Sequence, residues 1–237
     1  MGKTAIVTGA TRGIGKSILL LLSNQGYNVV GTYKKSDEKA KAIAKDSLNI
    51  LMIKADAGNE ADVKNVINQT LQKFGILDVV VNNAGIDLFG KIQEYSSESW
   101  DIMVNTNIKS VFLFSKYSIP HLKLSTSPII INISSRIGYP QYTEPSFVVY
   151  GAVKAAVTNF TVGLSKELND DNIRVCAIIP TPTKTDLFDE VFTKKEEEDL
   201  ARRKKLGQPE DVAKLVMELI EDSNSNGKIL IDKRVTI

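Results

Sequence analysis

The sequence predicts an α/β domain built on a doubly wound parallel sheet of seven strands flanked by helices. Three observations lead there. Short β-rich runs alternate with helix-length segments from one end to the other, the pattern of consecutive βαβ units. Most of these runs are continuously apolar and not alternating, as in strands covered by helices on both faces. No stretch has linker composition and no repeat interrupts the alternation, so one domain over residues 1–237 is expected.

Taken in order, TAIVTG (4–9) leads through TGATRGIGKS (8–17) into a helix over 14–25. NVVGTY (28–33) is followed by a helix over 36–46, and NILMIKA (49–55) by one over 59–74. LDVVVNN (77–83) precedes a long helical segment, 97–123, whose opening SESW suits a helix N-terminus. PIIINIS (128–134) is followed by a helix over 149–169, and a helix over 208–222 leads to the last strand, KILID (228–232). Between IRVCAII (173–179) and that last helix lies an excursion, 181–207, too long for a tight connection. Such excursions in compact domains commonly serve as lids, so a substrate lid is expected there. Its RRKK run (202–205) reads as a solvated helix face.

Composition excludes several function classes. A net charge of +2 gives no bulk attraction to nucleic acid or membranes. The single cysteine, Cys176, rules out an intrachain disulfide and a cysteine-based zinc site, and no metal is expected. It sits in RVCAII and reads as a small buried hydrophobe. Serine–histidine chemistry would rest wholly on the one histidine, His121, beside Pro120. A strand beginning at residue 4 leaves no room for a secretory signal, Ile6 breaks the myristoylation pattern after Gly2, and no apolar stretch reaches membrane-span length. A cytoplasmic location is expected.

The glycine loop carries the first chemical signal. A glycine-rich turn opening a helix offers backbone N–H groups and a positive dipole end to a phosphate. Gly9, Gly13 and Gly15 stand where the tight turn, the close approach of a pyrophosphate and helix packing need them. The loop is not a P-loop, because Ala10 occupies the required first glycine, and its spacing is G-x-x-x-G-x-G, not G-x-G-x-x-G. An acid at the end of the second strand would bind the ribose hydroxyls of NAD. This strand ends in Tyr33, Lys34 and Lys35, with Arg12 in the glycine loop. Cations there suit a 2′-phosphate, so NADP(H) is preferred over NAD(H). A second signal is VVYGAVKAAV (148–157), which sets Tyr150 and Lys154 one helical turn apart on one face.

TGATRGIG (8–15), NNAG (82–85), NTNIKSVF (105–112), ISS (133–135) and YGAVK (150–154) occur in this order. Together they resemble a short-chain dehydrogenase/reductase over essentially the whole chain. GQPEDVA (207–213) adds a likeness to the 3-oxoacyl-carrier-protein reductase branch. The resemblance implies a Rossmann-type fold and a catalytic set of Asn107, Ser135, Tyr150 and Lys154. Tyr150 would donate the proton. Lys154 would lower its pKa and bind the nicotinamide ribose, Ser135 would hold the carbonyl, and Asn107 would maintain a proton relay. Ser135 is chosen over Ser134 because only one of two adjacent strand residues faces the site.

The same resemblance implies cofactor contacts from Gly9, Thr11, Arg12, Gly13, Ile14 and Gly15, and from Tyr33, Lys34 and Asp56 at the adenosine end. Asn83, Ala84 and Gly85 would pack the adenosine side of the cleft, or NNAG would mainly steady the sheet. Tyr150, Lys154, Pro180, Thr183 and Thr185 would lie by the nicotinamide. The Ser135–Tyr150 interval is two residues longer than the family's usual one, so Tyr139, Tyr142 and Phe147 either shape the substrate pocket or anchor the loop. Phe188 of the lid is a further pocket candidate.

Two departures bear on these expectations. Thr181 and Pro182 follow Pro180 where the family has glycine, and IDKRVTI (231–237) lacks the terminal glycine pair that supports subunit packing. A homo-tetramer or homo-dimer is expected. The expected substrate is a small-molecule or carrier-protein-linked acyl ketone. The LSTSP (124–128) and NDDN (169–172) segments lack the basic patch that would dock an acidic carrier, for which Lys194, Lys195 and RRKK would have to substitute. A reductase of small free carbonyls or of sugar- or steroid-like substrates, and a non-enzymatic NADP(H)-binding regulator, stay open.

Overall fold

The apolar runs resolve into seven parallel strands in one sheet. The structure, a computed structural model, describes residues 2–45 and 47–233. The strands are β1 (Thr4–Val7), β2 (Asn28–Tyr33), β3 (Ile50–Lys54), β4 (Val79–Asn82), β5 (Ile129–Ile133), β6 (Arg174–Ile179) and β7 (Ile229–Ile231). They lie in the order β3-β2-β1-β4-β5-β6-β7. The order reverses between β1 and β4, which opens a crevice at the carboxyl ends of these two strands.

Period-2 geometry explains the continuous apolar runs. Ala5 and Val7 join one core with Ile129 and Ile131, while Ile6 and Ile130 join the other. The first core is closed by Ile18, Leu19 and Leu22 of α1 (Gly13–Asn24) and by Val212, Val216 and Leu219 of α9 (Pro209–Glu221). The second is closed by α3 (Glu60–Phe74), α5 (Ser110–Leu122) and α6 (Val148–Glu167) through Val63, Val66, Phe114 and Leu164. Each fully buried Val, Leu or Ile contributes roughly 1.5–3 kcal/mol, so both faces of every central strand are committed. Cys176 is buried in the first core, as its sequence context predicts. Arg174 is buried as well; its guanidinium donates to the carbonyls of Leu219, Ile220 and Asp222, tying β6 to the end of α9.

Two segments differ from expectation. The segment 97–123 is not one α-helix: α4 (Ser97–Val104) passes through a π-helical turn (Asn105–Lys109) into α5. The Asn107 side-chain amide donates to the Met103 carbonyl at 3.1 Å, taking the acceptor four residues back, and the Ser110 N–H reaches Asn105 instead. A π-turn of this kind commonly marks a functional position.

The excursion 181–207 contains α7 (Asp186–Val191) and α8 (Lys194–Arg202), and it is closed at its base. Lys184 N–H donates to the Gly207 carbonyl at 3.0 Å, and Gly207 N–H to Pro182 at 2.8 Å. Its ends meet, as in an Ω-loop. α2 (Asp37–Ala44) stops short of the expected helix end, and residues 234–237 of IDKRVTI lie outside the described residues. Among the described residues, no helix is long and apolar enough to cross a membrane.

Candidate active site

β1 feeds the glycine loop and α1. Gly9 and Gly13 have φ of +66° and +50°, backbone that glycine adopts without penalty. A Cβ on Gly15 would lie 2.3 Å from the Gly9 carbonyl oxygen and 2.4 Å from Asn83 Nδ2, so loop and helix close on each other only with hydrogen there. The first turn of α1 has no acidic residue, which leaves its positive dipole end to an anion. Thr11 is buried beside the turn.

Asn82 and Asn83 do structural work at the sheet's switch point. Thr8 Oγ1 accepts from the N–H groups of Asn83 (2.9 Å) and Ala84 (2.8 Å), and Asn83 Nδ2 donates to the Thr8 carbonyl at 2.8 Å. Asn82 Nδ2 donates to Asn132 Oδ1 at 2.8 Å, and Asn132 Nδ2 to Thr161 Oγ1 at 2.9 Å, joining β4, β5 and α6. Of the two sequence readings of NNAG, the steadying role is the one these bonds carry. Gly85 borders Asn107 and Lys154.

At the end of β2 the expected cations are already engaged by carboxylates. Lys34 Nζ lies 2.5 Å from Asp56 Oδ2. Tyr33 donates its hydroxyl to Asp37 Oδ1 at 3.3 Å, and Lys54 pairs with the same carboxylate at 2.8 Å. Arg12 and Lys39 both approach Asp186, at the start of α7, at 3.9 and 3.4 Å. Asp56, expected beside the adenine, also accepts from Gly58 N–H at 3.0 Å and shapes its own turn. Burial works to raise its carboxyl, but Lys34, Gly58 and Lys109 hold it below its ordinary value.

Tyr150, Lys154, Ser135 and Asn107 come together where β4, β5 and α6 meet. Lys154 is 6% exposed and donates to the Ile133 carbonyl at 3.0 Å; its Nζ lies 5.7 Å from the centroid of the Tyr150 ring. Ser135 acts on the Tyr150 phenol through its side chain. Ser134 turns the other way, donating to the Lys154 carbonyl at 3.0 Å and lying 2.7 Å from Thr158 Oγ1. Strand alternation thus separates the two serines as expected. Asn107 is 1% exposed and grips Ile86 at both ends, its Oδ1 accepting from Ile86 N–H at 3.2 Å and its Nδ2 donating to Ile86 O at 3.1 Å.

The remaining expected residues are divided. Thr185 caps α7, accepting from Phe188 N–H at 3.2 Å, and a Cβ on Gly13 would come within 3.0 Å of its methyl, so the excursion begins against the glycine loop. Thr183 is buried and donates to the Thr181 carbonyl at 2.7 Å. Pro180, at the end of β6, is half-buried. Phe188 is buried within the excursion and stacks on Phe192 at 4.4 Å, so packing of the excursion accounts for it. In the long loop, Phe147 stacks on Phe89 at 5.8 Å and Tyr142 lies under the Arg136 guanidinium, which is the anchoring arrangement; Tyr139 is half-buried.

Residues 3–196 match the short chain dehydrogenase family. The chain belongs to the short-chain dehydrogenase/reductase family. It is 35% identical over 228 residues to the 3-oxoacyl-(acyl-carrier-protein) reductase FabG of Staphylococcus aureus, covering 94% of this chain and 92% of that protein. A short-chain dehydrogenase from Burkholderia cenocepacia, solved in complex with NADP, superposes with a TM-score of 0.89 at 30% identity, over 98% of this chain and 96% of the other. A 3-ketoacyl-(acyl-carrier-protein) reductase from Brucella melitensis, complexed with NADH, gives 0.90 at 30% identity, over 97% and 96%. The fold is accordingly Rossmann-type, and the protein is an oxidoreductase of this family.

Burial dominates the electrostatics of this dehydrogenase. It draws Lys154 down to about 8, with Asp87 opposing. It raises Tyr150 above its ordinary value; the charge of Asp87 adds to the rise and Ser135 opposes it. Lys154 is not among the groups that shift the phenol here. An ammonium that loses its proton near 8 is gone before a phenol raised above 10 ionises, so the protein's own groups leave the proton on Tyr150.

The sequence reading missed Asp87, which burial pushes up to about 6 against the pull of Lys154. Its one signal was an acid directly after NNAGI.

Proposed function

We propose that this short-chain dehydrogenase reduces a ketone to a secondary alcohol with NADPH, and that its substrate class is a 3-oxoacyl thioester linked to a carrier protein or to CoA. One observation carries the reading: the Tyr150 phenol bonds the Ser135 side chain and has the Lys154 Nζ 5.7 Å from its ring centroid, beside a backbone segment gripped by Asn107. The glycine loop and the undefended start of α1 fit a dinucleotide pyrophosphate, which Gly9, Gly13 and Gly15 would admit. The nicotinamide, when bound, supplies the hydride. Ser135 would hold the carbonyl oxygen, and Tyr150 would give its proton to the developing alkoxide. A phenol kept protonated by burial suits a donor better than a base. Lys154 would hold the ribose, and Asn107 would keep the proton path in register.

The thioester class follows the named relatives, two of which are 3-oxoacyl-(acyl-carrier-protein) reductases. For the cofactor, Arg12, Lys34 and Lys39 at the adenosine end support NADP(H); the phosphate would compete with Asp56 and Asp186 for them. The half-exposed Trp100, Ile102 and Phe112 on α4 and α5 support a homo-oligomer, which light scattering tests.

The test is NADPH oxidation with acetoacetyl-CoA, a carrier-linked 3-oxoacyl thioester and small ketones, in the wild type and in Tyr150→Phe. Loss of a general acid is expected to cost about 10²–10⁴-fold in kcat, with NADPH affinity nearly unchanged. Wild-type turnover in Tyr150→Phe would sink the catalytic assignment.

A further inference from the structure

Asp87 lies on the wall of the cleft, and the backbone on both sides of it is fixed. Asn107 grips Ile86 before it. After it, the Leu88 carbonyl accepts from the Tyr95 hydroxyl at 3.1 Å, Phe89 stacks on Phe147, and Gly90 N–H donates to the Ser146 carbonyl at 3.0 Å. These contacts fix the backbone from which the Asp87 side chain projects. Asp87 Oδ1 is buried and makes no hydrogen bond within the protein. The titratable groups that face it are Lys154 and Tyr150 of α6 and Tyr95 of the segment that follows it. Buried carboxylate oxygens are almost always hydrogen-bonded. This one stands beside the groups that would act on a carbonyl.

We propose that Asp87 is a specificity-determining residue: its Oδ1 accepts a hydrogen bond from a donor on the substrate, a hydroxyl, amide N–H or ammonium carried near the reacting carbonyl. The proposal rests on the ketone-reductase reading and narrows it to donor-bearing ketones. The amide N–H groups of a pantetheine thioester are donors of this kind. A ketone with a carboxylate at the same distance meets a like charge and is disfavoured. A site built to bind a donor also discriminates strongly against an isostere that lacks it, because its own buried acceptor is then left unpaired. Asp87 is ionised above a pH of about 6, so the preference is present there and fades as pH falls through that value.

Three small ketones of similar size test this: hydroxyacetone, 2-butanone and pyruvate. Dissociation constants are measured by NMR titration in the presence of NADP⁺, and kcat/KM with NADPH, at pH 7.5 and pH 5. The wild type is expected to favour hydroxyacetone over 2-butanone by roughly tenfold or more at pH 7.5, with pyruvate weakest. In Asp87→Ala the three converge to within about twofold, as they do in the wild type at pH 5. The isosteric Asp87→Asn keeps an acceptor but drops the charge, so it relaxes the exclusion of pyruvate even if the alanine variant folds poorly. No donor preference in the wild type, an unchanged pyruvate ratio in Asp87→Asn, or an equal loss on all three ketones would each overturn the proposal. Binding selectivity that depends on Asp87 without any turnover would sink the reductase reading and leave this one standing. Turnover whose selectivity ignores Asp87 does the reverse.

Discussion

Replacing Lys154 with methionine should separate stability from chemistry. Lys154 is 6% exposed and its ammonium is drawn from 10.5 to about 8, chiefly by burial. Below pH 8 the lysine is charged in both the folded and unfolded states, and the folded state carries the full desolvation penalty. Above pH 10.5 it is neutral in both and the penalty is gone. Wild-type stability, measured relative to Lys154→Met, therefore rises across that window. A shift of about 2.5 units at 1.36 kcal/mol each makes the rise about 3 kcal/mol. Methionine also forfeits the hydrogen bond to Ile133, worth about 1 kcal/mol, and leaves Asp87 without its cation. The hydrogen-bond loss moves only the offset; the attraction of Asp87 fades as the ammonium deprotonates and is already contained in the shift of Lys154, so it is not counted again. Urea unfolding followed by far-UV circular dichroism between pH 7 and 10.5 reads the difference directly. A difference that is flat with pH, or that falls as pH rises, would refute the argument.

The adjacent serines should part company. Ser134→Ala loses two buried hydrogen bonds and is expected to cost about 1–2 kcal/mol in stability, whereas Ser135→Ala should leave the unfolding midpoint nearly in place and lower kcat. Gly15→Ala forces a methyl against the Gly9 carbonyl; NADPH fluorescence enhancement should disappear, with roughly 1–3 kcal/mol of overpacking in the melt. Asp186→Asn removes the carboxylate that Arg12 and Lys39 share. KM for NADPH should fall by no more than about fivefold, the limit for exposed pairs, while KM for NADH stays put. A larger effect on NADH would show that the fold of the 181–207 excursion, and not the phosphate, is what Asp186 governs.

The sheet was legible because burial on both faces leaves an unmistakable trace: LDVVVNN, PIIINIS and IRVCAII hold no regular polar alternation, and each contains an interior strand of the sheet. Their ends were read one or two residues too long, since an apolar side chain continues past the last ladder bond. The π-turn was invisible, because 97–123 has helical pattern throughout and the deviation depends on a single amide reaching Met103. The tyrosine, lysine, serine and asparagine were legible from spacing and order. Their protonation was not. A helical i,i+4 pair says that Lys154 is near Tyr150, but only burial says that the ammonium is the weaker holder of its proton. Asp87 escaped for a similar reason: an acid in a loop ordinarily faces water, and nothing local announces that Asn107, distant in sequence, holds that loop in the cleft.

The three titratable groups of this cleft are each destabilised by burial, so the cleft persists only because its frame leaves them no alternative. α6 is held at the turn that matters: the Lys154 carbonyl accepts from Ser134, and a Cβ on Gly138 would fall 2.7 Å from Ala155 N and 2.8 Å from the Lys154 carbonyl carbon. The opposite wall is held by Asn107 on Ile86, from a helix that gives up its regular register to do so. Neither Ser134 nor Asn107 needs to touch substrate for its loss to matter, since each fixes the distance between groups whose protons are coupled. Substitutions in the frame should then move the pH profile of turnover before they abolish it, whereas substitutions at Tyr150 should abolish turnover without moving the profile of what remains. That contrast separates residues that hold the site from the residue that would perform the proton transfer.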